Sequence, residues 1–414
     1  MKSQPAGLPR SPQPAATEPE RELGLFTGKP AFAEPLHVGR PNIGDRARLH
    51  ERLDEILDRR WLTNDGPMVR AFENRISTLV GVKHCVAMCN GTIGLEIMIR
   101  AAGLGGEVIV PAFTFVATVH ALQWQEITPV FCDVDPDTHS LDPKRVEELI
   151  TPRTTGILAV HTWGRPAAIE ALQEIADRRG LKLLFDGAHA LACSHRGRMI
   201  GGFGMAECFS FHATKVLNSF EGGAVTTDDD ELAERMRFMR NFGFAGKDRV
   251  EYLGSNGKMD EMCAAMGLTS LDSLPEFIEA NRRNYGYWRE GLAGIPGLAV
   301  FEHGEREHHN FHYVVIEVEE SEAGLTRDEL VRVLEADNVL ARRYFFPGVH
   351  RMQPYSALQP QAWRVLPETE RLCGRVMTVP TGTAVQRADI QRMCGLIRRA
   401  VSQSERVRAR LAQG

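Results

Sequence analysis

Long hydrophobic runs are missing from this 414-residue chain. No stretch of about 18 apolar residues occurs, so no membrane-spanning helix is expected. The first stretch, Met1–Glu22, is rich in Pro, Ala and Glu and has no apolar core of the signal-peptide kind. It reads as a disordered tail, and the chain as a cytoplasmic protein. The eight cysteines are irregularly spaced, which fits reduced thiols rather than a disulfide framework. His84, Cys85 and Cys89 lack zinc-ligand spacing, and no metal site is expected. Nor is there an excess of one charge. Acidic and basic residues are mixed at a net −5, which leaves no basic face for nucleic acid. Nucleotide-binding glycine motifs are absent too. Gly201-Gly202-Phe203-Gly204 has the wrong spacing for a dinucleotide fold, and Gly24–Lys29 falls short of a P-loop. Lysine is scarce: eight of the 49 basic residues. Any lysine chemistry therefore has few candidates.

What is present is an alternation of short apolar strands with amphipathic helices. Arg46–Arg60 and Val69–Val80 read as helices. Strands follow at His84–Met88, Glu107–Val110, Pro129–Val134, Gly156–His161, Lys182–Phe185, Cys208–Phe211 and Ala224–Thr227. Helices at Thr92–Ala102, Val116–Gln125, Pro143–Ile150 and Ile169–Arg179 separate the earlier ones. This order predicts an α/β fold with a mainly parallel, seven-stranded-type sheet covered on both faces. A long helix over Pro275–Leu292 leads into a smaller α+β segment with strands near Tyr313–Val318 and Val376–Val379. The expected division is a flexible tail (1–35), a large domain (36–274) and a small C-terminal domain (275–414).

In such sheets ligands bind beyond the C-terminal strand ends. The polar residues there are Asn90-Gly91-Thr92, Thr114, His161, Asp186, His189 and the run Ser210–Lys215. Gly91-Thr92 opens a helix, whose free N–H groups and dipole suit a phosphate. Asp186 ends an apolar strand. Lys215 lies on a loop before the turn Glu221-Gly222-Gly223. Singly, these are a helix cap, an N-cap acid and a surface lysine. Together they match the needs of pyridoxal 5′-phosphate (PLP) chemistry: an amine for the aldehyde, an acid for the ring nitrogen and a phosphate cup. Phe115 follows a strand end, from which its ring could stack on the cofactor, though for a single Phe core packing is the default.

The ordered motifs Asn90-Gly91-Thr92, Pro111–Phe115, Asp186–Ala190, Ser210–Lys215 and Glu221-Gly222-Gly223 resemble those of the DegT/DnrJ/EryC1/StrS sugar aminotransferases, PLP enzymes of fold type I. The resemblance runs from about Leu36 to Ile397. It implies that Lys215 is the Schiff-base lysine and Asp186 the partner of the pyridine nitrogen. It implies that His189 meets the ring oxygen, that Phe115 stacks, and that Gly91, Thr92 and Ser210 hold the phosphate. Asn256, in Gly254–Met259, matches an asparagine that reaches the phosphate from the neighbouring subunit, so a homodimer with shared sites is expected. Lys258 and Gly187 depart from the usual Arg and Ala, without removing a needed group.

Four further segments resemble the branch that aminates dTDP-4-keto-6-deoxyglucose with L-glutamate as donor. They are His37–Asn42, Trp61–Pro67, His161–Pro166 and Arg343–His350, with Tyr344 and His350 as candidate nucleotide contacts. The alternatives are a 3-keto-sugar aminotransferase of the same family and a non-catalytic regulatory protein on this scaffold. Intact Lys215 and Asp186 weigh against the second.

Overall fold

A computed structural model describes residues 22–304 and 307–413. Residues 1–21 of the expected tail lie outside the described residues.

Seven strands form the central sheet: β1 (His84–Met88), β2 (Glu107–Pro111), β3 (Thr128–Cys132), β4 (Thr154–Val160), β5 (Lys182–Asp186), β6 (Ala206–Ser210) and β7 (Gly223–Thr227). Their spatial order is β1-β7-β6-β5-β4-β2-β3. β7 runs antiparallel to both of its neighbours, and the remaining pairs are parallel. β4 and β5 are buried along nearly their whole length. That explains why they read as continuous apolar runs rather than alternating ones. Phe72, Ile76, Phe185, Phe209 and Phe211 fill one face of the sheet. Val86, Met98, Val108, Leu184 and Val225 fill the other.

The register brings the strand ends together. Gly223 lies opposite both Met88 and Ser210, so β7 begins where β1 and β6 end. A Cβ on Gly223 would lie 2.5 Å from the carbonyl carbon of Asn90 and 2.6 Å from the nitrogen of Gly91. Only glycine allows that approach, which draws the Glu221–Gly223 turn against the start of helix Gly91–Ala101.

The C-terminal unit begins with helix Leu274–Leu292. Its antiparallel sheet has the order β8 (Leu298–Val300), β9 (Val314–Val318) and β10 (Val376–Val379). Trp288, Ile316, Leu334 and Ile397 lie in its core.

One expectation is corrected here. From Leu23 onward the chain is anchored, in place of a flexible stretch to residue 35. Leu23, Ala31 and Phe32 are buried in the core of the C-terminal unit. The Asp337 carboxylate accepts hydrogen bonds from the N–H groups of Gly24 (3.0 Å) and Ala31 (2.9 Å). Leu36–His37 then pairs in parallel with Val339–Leu340. Leu36, expected to open the large domain, therefore joins the smaller unit. Three apolar anchors and one buried carboxylate outweigh a local composition that favours disorder. Among the described residues, no helix is long and apolar enough to cross a membrane.

Candidate active site

The ends of β1, β5 and β6 open into a cleft of about 510 Å³. Gly91, Thr92, Phe115, Asp186, His189, Ser210 and Lys215 all line it. Tyr313, Arg342, Tyr344 and Phe345 of the C-terminal unit form the facing wall.

Lys215 sits on a loop closed at its base by Ser219 N–H donating to the carbonyl of Phe211 at 2.9 Å. Its own N–H donates to the carbonyl of His212 at 2.9 Å, which tightens the turn. The Nζ lies 3.4 Å from the Tyr313 hydroxyl. Burial pushes the Lys215 ammonium down to about 8, against the opposing pull of Asp186 and Tyr344. A lysine so placed offers neutral, nucleophilic amine nearer neutral pH than a solvated one.

Asp186 is 6% exposed. Its Oδ1 accepts from Ala188 N–H at 3.0 Å, and its Oδ2 from the Thr118 hydroxyl at 2.8 Å. Thr118 has one hydrogen to give. Thr114, 2.9 Å away, must therefore donate to Thr118. Burial pushes the Asp186 carboxyl up, and Ala188 N–H, Thr118 and Lys215 pull it back. A cationic ring nitrogen facing it would act in the same sense as those partners.

His189 accepts a hydrogen bond from Trp163 N–H on Nδ1 at 3.3 Å, which puts its proton on Nε2. Burial, with Lys215 and His312 nearby, holds the ring well below its ordinary pKa and hence neutral. Its plane lies nearly parallel to Trp163 and Phe345. Phe115 precedes helix Val116–Gln123 and is 55% exposed, an apolar ring at the rim of the cleft.

The residues present fit PLP. A Cβ on Gly91 would lie 3.0 Å from the Ser210 Cβ, so a side chain there would crowd the helix terminus, where a phosphate would be held. Asn90 caps its helix through the N–H of Ile93 at 2.9 Å, beyond Gly91 and Thr92 at the opening. Helix terminus, buried carboxylate and depressed lysine are the donor set that PLP requires.

Asn256 is the expected site residue that does not join them. It is exposed, bridges Asn241 in its own chain, and lies outside its own cleft. His161 also faces elsewhere. It is fully buried, donates from Nε2 to Glu207 at 3.0 Å and accepts from Ala167 N–H at Nδ1. His350 is 2% exposed and bonded to Glu370 at 2.5 Å, away from the cleft, whereas Tyr344 does line it. His84 pairs with Asp230, and the described residues hold no cluster fit for a metal ion. Sequence reasoning missed Thr118, Tyr313, Arg342 and Phe345 as site residues. The only signals were Tyr313 at a strand start and the segment beginning at Arg343.

Residues 44–398 match the DegT/DnrJ/EryC1/StrS aminotransferase family. A Shigella dysenteriae dTDP-4-amino-4,6-dideoxy-D-glucose transaminase is 37% identical over 322 residues, covering 78% of this chain and 88% of the relative. A Streptomyces venezuelae dTDP-3-amino-3,4,6-trideoxy-alpha-D-glucose transaminase is 34% identical, covering 85% and 92%. Among solved structures, DesI in the presence of its TDP-sugar product superposes with a TM-score of 0.91 at 52% identity, covering 94% of this chain and 99% of that one. This chain belongs to the DegT/DnrJ/EryC1/StrS family and is a PLP-dependent sugar aminotransferase of fold type I.

Proposed function

We propose that the enzyme aminates C4 of a dTDP-linked 4-keto-6-deoxy sugar, giving dTDP-4-amino-4,6-dideoxy-D-glucose, with L-glutamate as the donor. The observation that carries this reading is the 37% identity, over 78% of the chain, to the Shigella relative named for dTDP-4-amino-4,6-dideoxy-D-glucose. The 52% likeness to DesI, solved in the presence of its TDP-sugar product, supports a TDP-linked sugar as the substrate class. The Streptomyces relative supports a second reading, amination at C3.

When bound, PLP supplies an aldehyde for the amine and a ring that takes up the electron pair left at the reacting carbon. Lys215 is the anchoring amine and, once free, the base that takes the proton from the donor's Cα and later returns one to the sugar carbon. Tyr313, at 3.4 Å, orients that amine. Asp186, held by Thr118 and Ala188, keeps a proton on the ring nitrogen. His189 offers Nε2–H to the ring oxygen. Gly91, Thr92 and Ser210 hold the phosphate, and Phe115 covers one ring face. Arg342 takes an anionic group of the substrates. Asn256 completes the cup of a second subunit, so the active form is a homodimer.

The substrate reading is tested with enzyme loaded with pyridoxamine phosphate and given 4-keto and 3-keto dTDP-sugars. Return of the PLP absorbance with the 4-keto sugar is expected; a response to the 3-keto sugar alone would overturn it. Lys215→Ala tests the site: retained borohydride-fixable cofactor in that variant would rule out Lys215.

A further inference from the structure

We propose that Asn42 is a positioning residue for Lys215: it ties the loop carrying the lysine to the C-terminal unit, and so fixes the amine against the tyrosines of that unit. The proposal rests on Lys215 being the reactive amine. It gives a physical role to the His37–Asn42 segment, which the site described above leaves unused.

Asn42 is 3% exposed. Its polar groups are divided between two parts of the molecule. Nδ2 donates to the carbonyl of Val216, the residue after the lysine, at 3.3 Å. Its backbone carbonyl accepts from the Asn218 side chain at 2.7 Å. Oδ1 accepts from Thr383 of the C-terminal unit twice, from N–H at 3.2 Å and from the hydroxyl at 2.9 Å. Just upstream, a Cβ on Gly39 would lie 2.9 Å from the Thr214 Cβ, so the segment also lies against the residue before the lysine. Asn218 is held from its other side by Ser270, whose hydroxyl donates to its carbonyl at 2.7 Å.

The arrangement has a purpose that stability alone does not supply. Tyr313, Tyr344 and Arg342 come from the C-terminal unit, and Lys215 from the large one. A shift between the units would change the 3.4 Å contact between Nζ and Tyr313. Asn42 bonds the lysine's own loop to the unit that carries the tyrosine, so the two move together. A carboxamide suits the task because it donates to one side and accepts from the other.

The test uses holoenzyme carrying Asn42→Ala, Asn42→Asp, Thr383→Val, or both Asn42→Ala and Thr383→Val. Borohydride reduction of the wild type first maps the fixed cofactor to a peptide. Cofactor on another lysine would overturn the underlying reading, and the proposal with it. With Lys215 established, Asn42→Ala should keep its cofactor and hold KM for both substrates within about threefold, while kcat falls at least about tenfold. Asn42→Asp keeps the shape and the bonds to Thr383 but sets an oxygen against the Val216 carbonyl. It should lose kcat similarly, and it decides the matter if the alanine variant does not fold. Thr383→Val should show a smaller loss, and the double variant no more loss than Asn42→Ala alone, because both cut one linkage. Lower thermal stability with unchanged kcat, or losses that multiply in the double variant, would overturn the proposal.

Discussion

The Thr118 hydroxyl donates to Asp186 Oδ2 at 2.8 Å, and Thr114 in turn donates to Thr118. The carboxylate at the centre of the site is thus held by a relay that starts one turn earlier on the helix side of the cleft. Thr118→Val removes the donor and leaves the Thr114 hydroxyl without its acceptor. The expected cost is about 1–3 kcal/mol in stability, read by denaturant unfolding of the cofactor-free protein, with a fall in kcat. Unchanged stability and unchanged kcat would show that the relay is idle.

Asp186→Asn keeps the shape but removes the charge proposed to favour a proton on the ring nitrogen. The proposed phosphate contacts of Gly91, Thr92 and Ser210 are untouched, so the cofactor should stay bound. The loss in kcat should be about 10²–10³-fold, the size found when a preorganised electrostatic partner is removed. Steady-state rates together with the cofactor content of the purified variant check it.

Burial sets the Lys215 ammonium at about 8. A depressed lysine pKa frees the neutral amine earlier on the way up in pH. The rate at which cofactor-free enzyme takes up PLP should rise with pH, reach half its plateau near 8 and level off above. Stopped-flow uptake between pH 6 and about 10 tests this. A midpoint near the ordinary lysine value would show that the amine is solvated.

Much of this site was legible because fold and chemistry shared one signal. Gly91, Asp186, Ser210 and Lys215 each lie at or beyond the end of a short apolar strand, and strand ends are where a parallel sheet presents ligands. The facing wall was not legible. Tyr313 and Arg342 are remote from those strands in sequence, and only the docking of the second unit brings them to the cleft. Leu23, Ala31 and Phe32 were misread for a related reason. They show no periodicity of their own and are buried through partners such as Asp337, some three hundred residues away. His161 misled in the opposite direction. It stands at a strand end, but Glu207 and Ala167 N–H hold it behind the sheet.

Among the described residues, Arg342 is the cation that the C-terminal unit adds to the cleft wall. Arg342→Gln keeps a polar side chain and removes the charge. KM for at least one anionic substrate should rise about tenfold or more, the scale of a charge-assisted hydrogen bond. Single-turnover half-reactions, with glutamate and with keto sugar separately, identify which substrate it grips. No change in either would remove Arg342 from the site.

Asn256 lies outside the cleft of its own chain and is proposed to reach the cofactor of a second subunit. Mixing the Lys215→Ala and Asn256→Ala homodimers tests whether it reaches across. If sites are shared, exchange places both lesions in one site of the mixed dimer and leaves the other intact, so activity returns. Activity that stays at the level of the unmixed Asn256→Ala protein would contradict the shared site.

The pairing of Leu36–His37 with Val339–Leu340, and of Gly24 with Asp337, has a consequence for how the molecule is made. The smaller unit is assembled from both flanks of the larger one. During synthesis the first of these segments leaves the ribosome roughly 300 residues before its partners exist. At about 5–20 residues per second it waits at least some fifteen seconds without a surface to bury against. The large sheet can close in that interval, but the wall that carries Tyr313 and Arg342 cannot be completed until the last third of the chain has emerged. The catalytic cleft therefore cannot take shape before the C-terminal unit has been made.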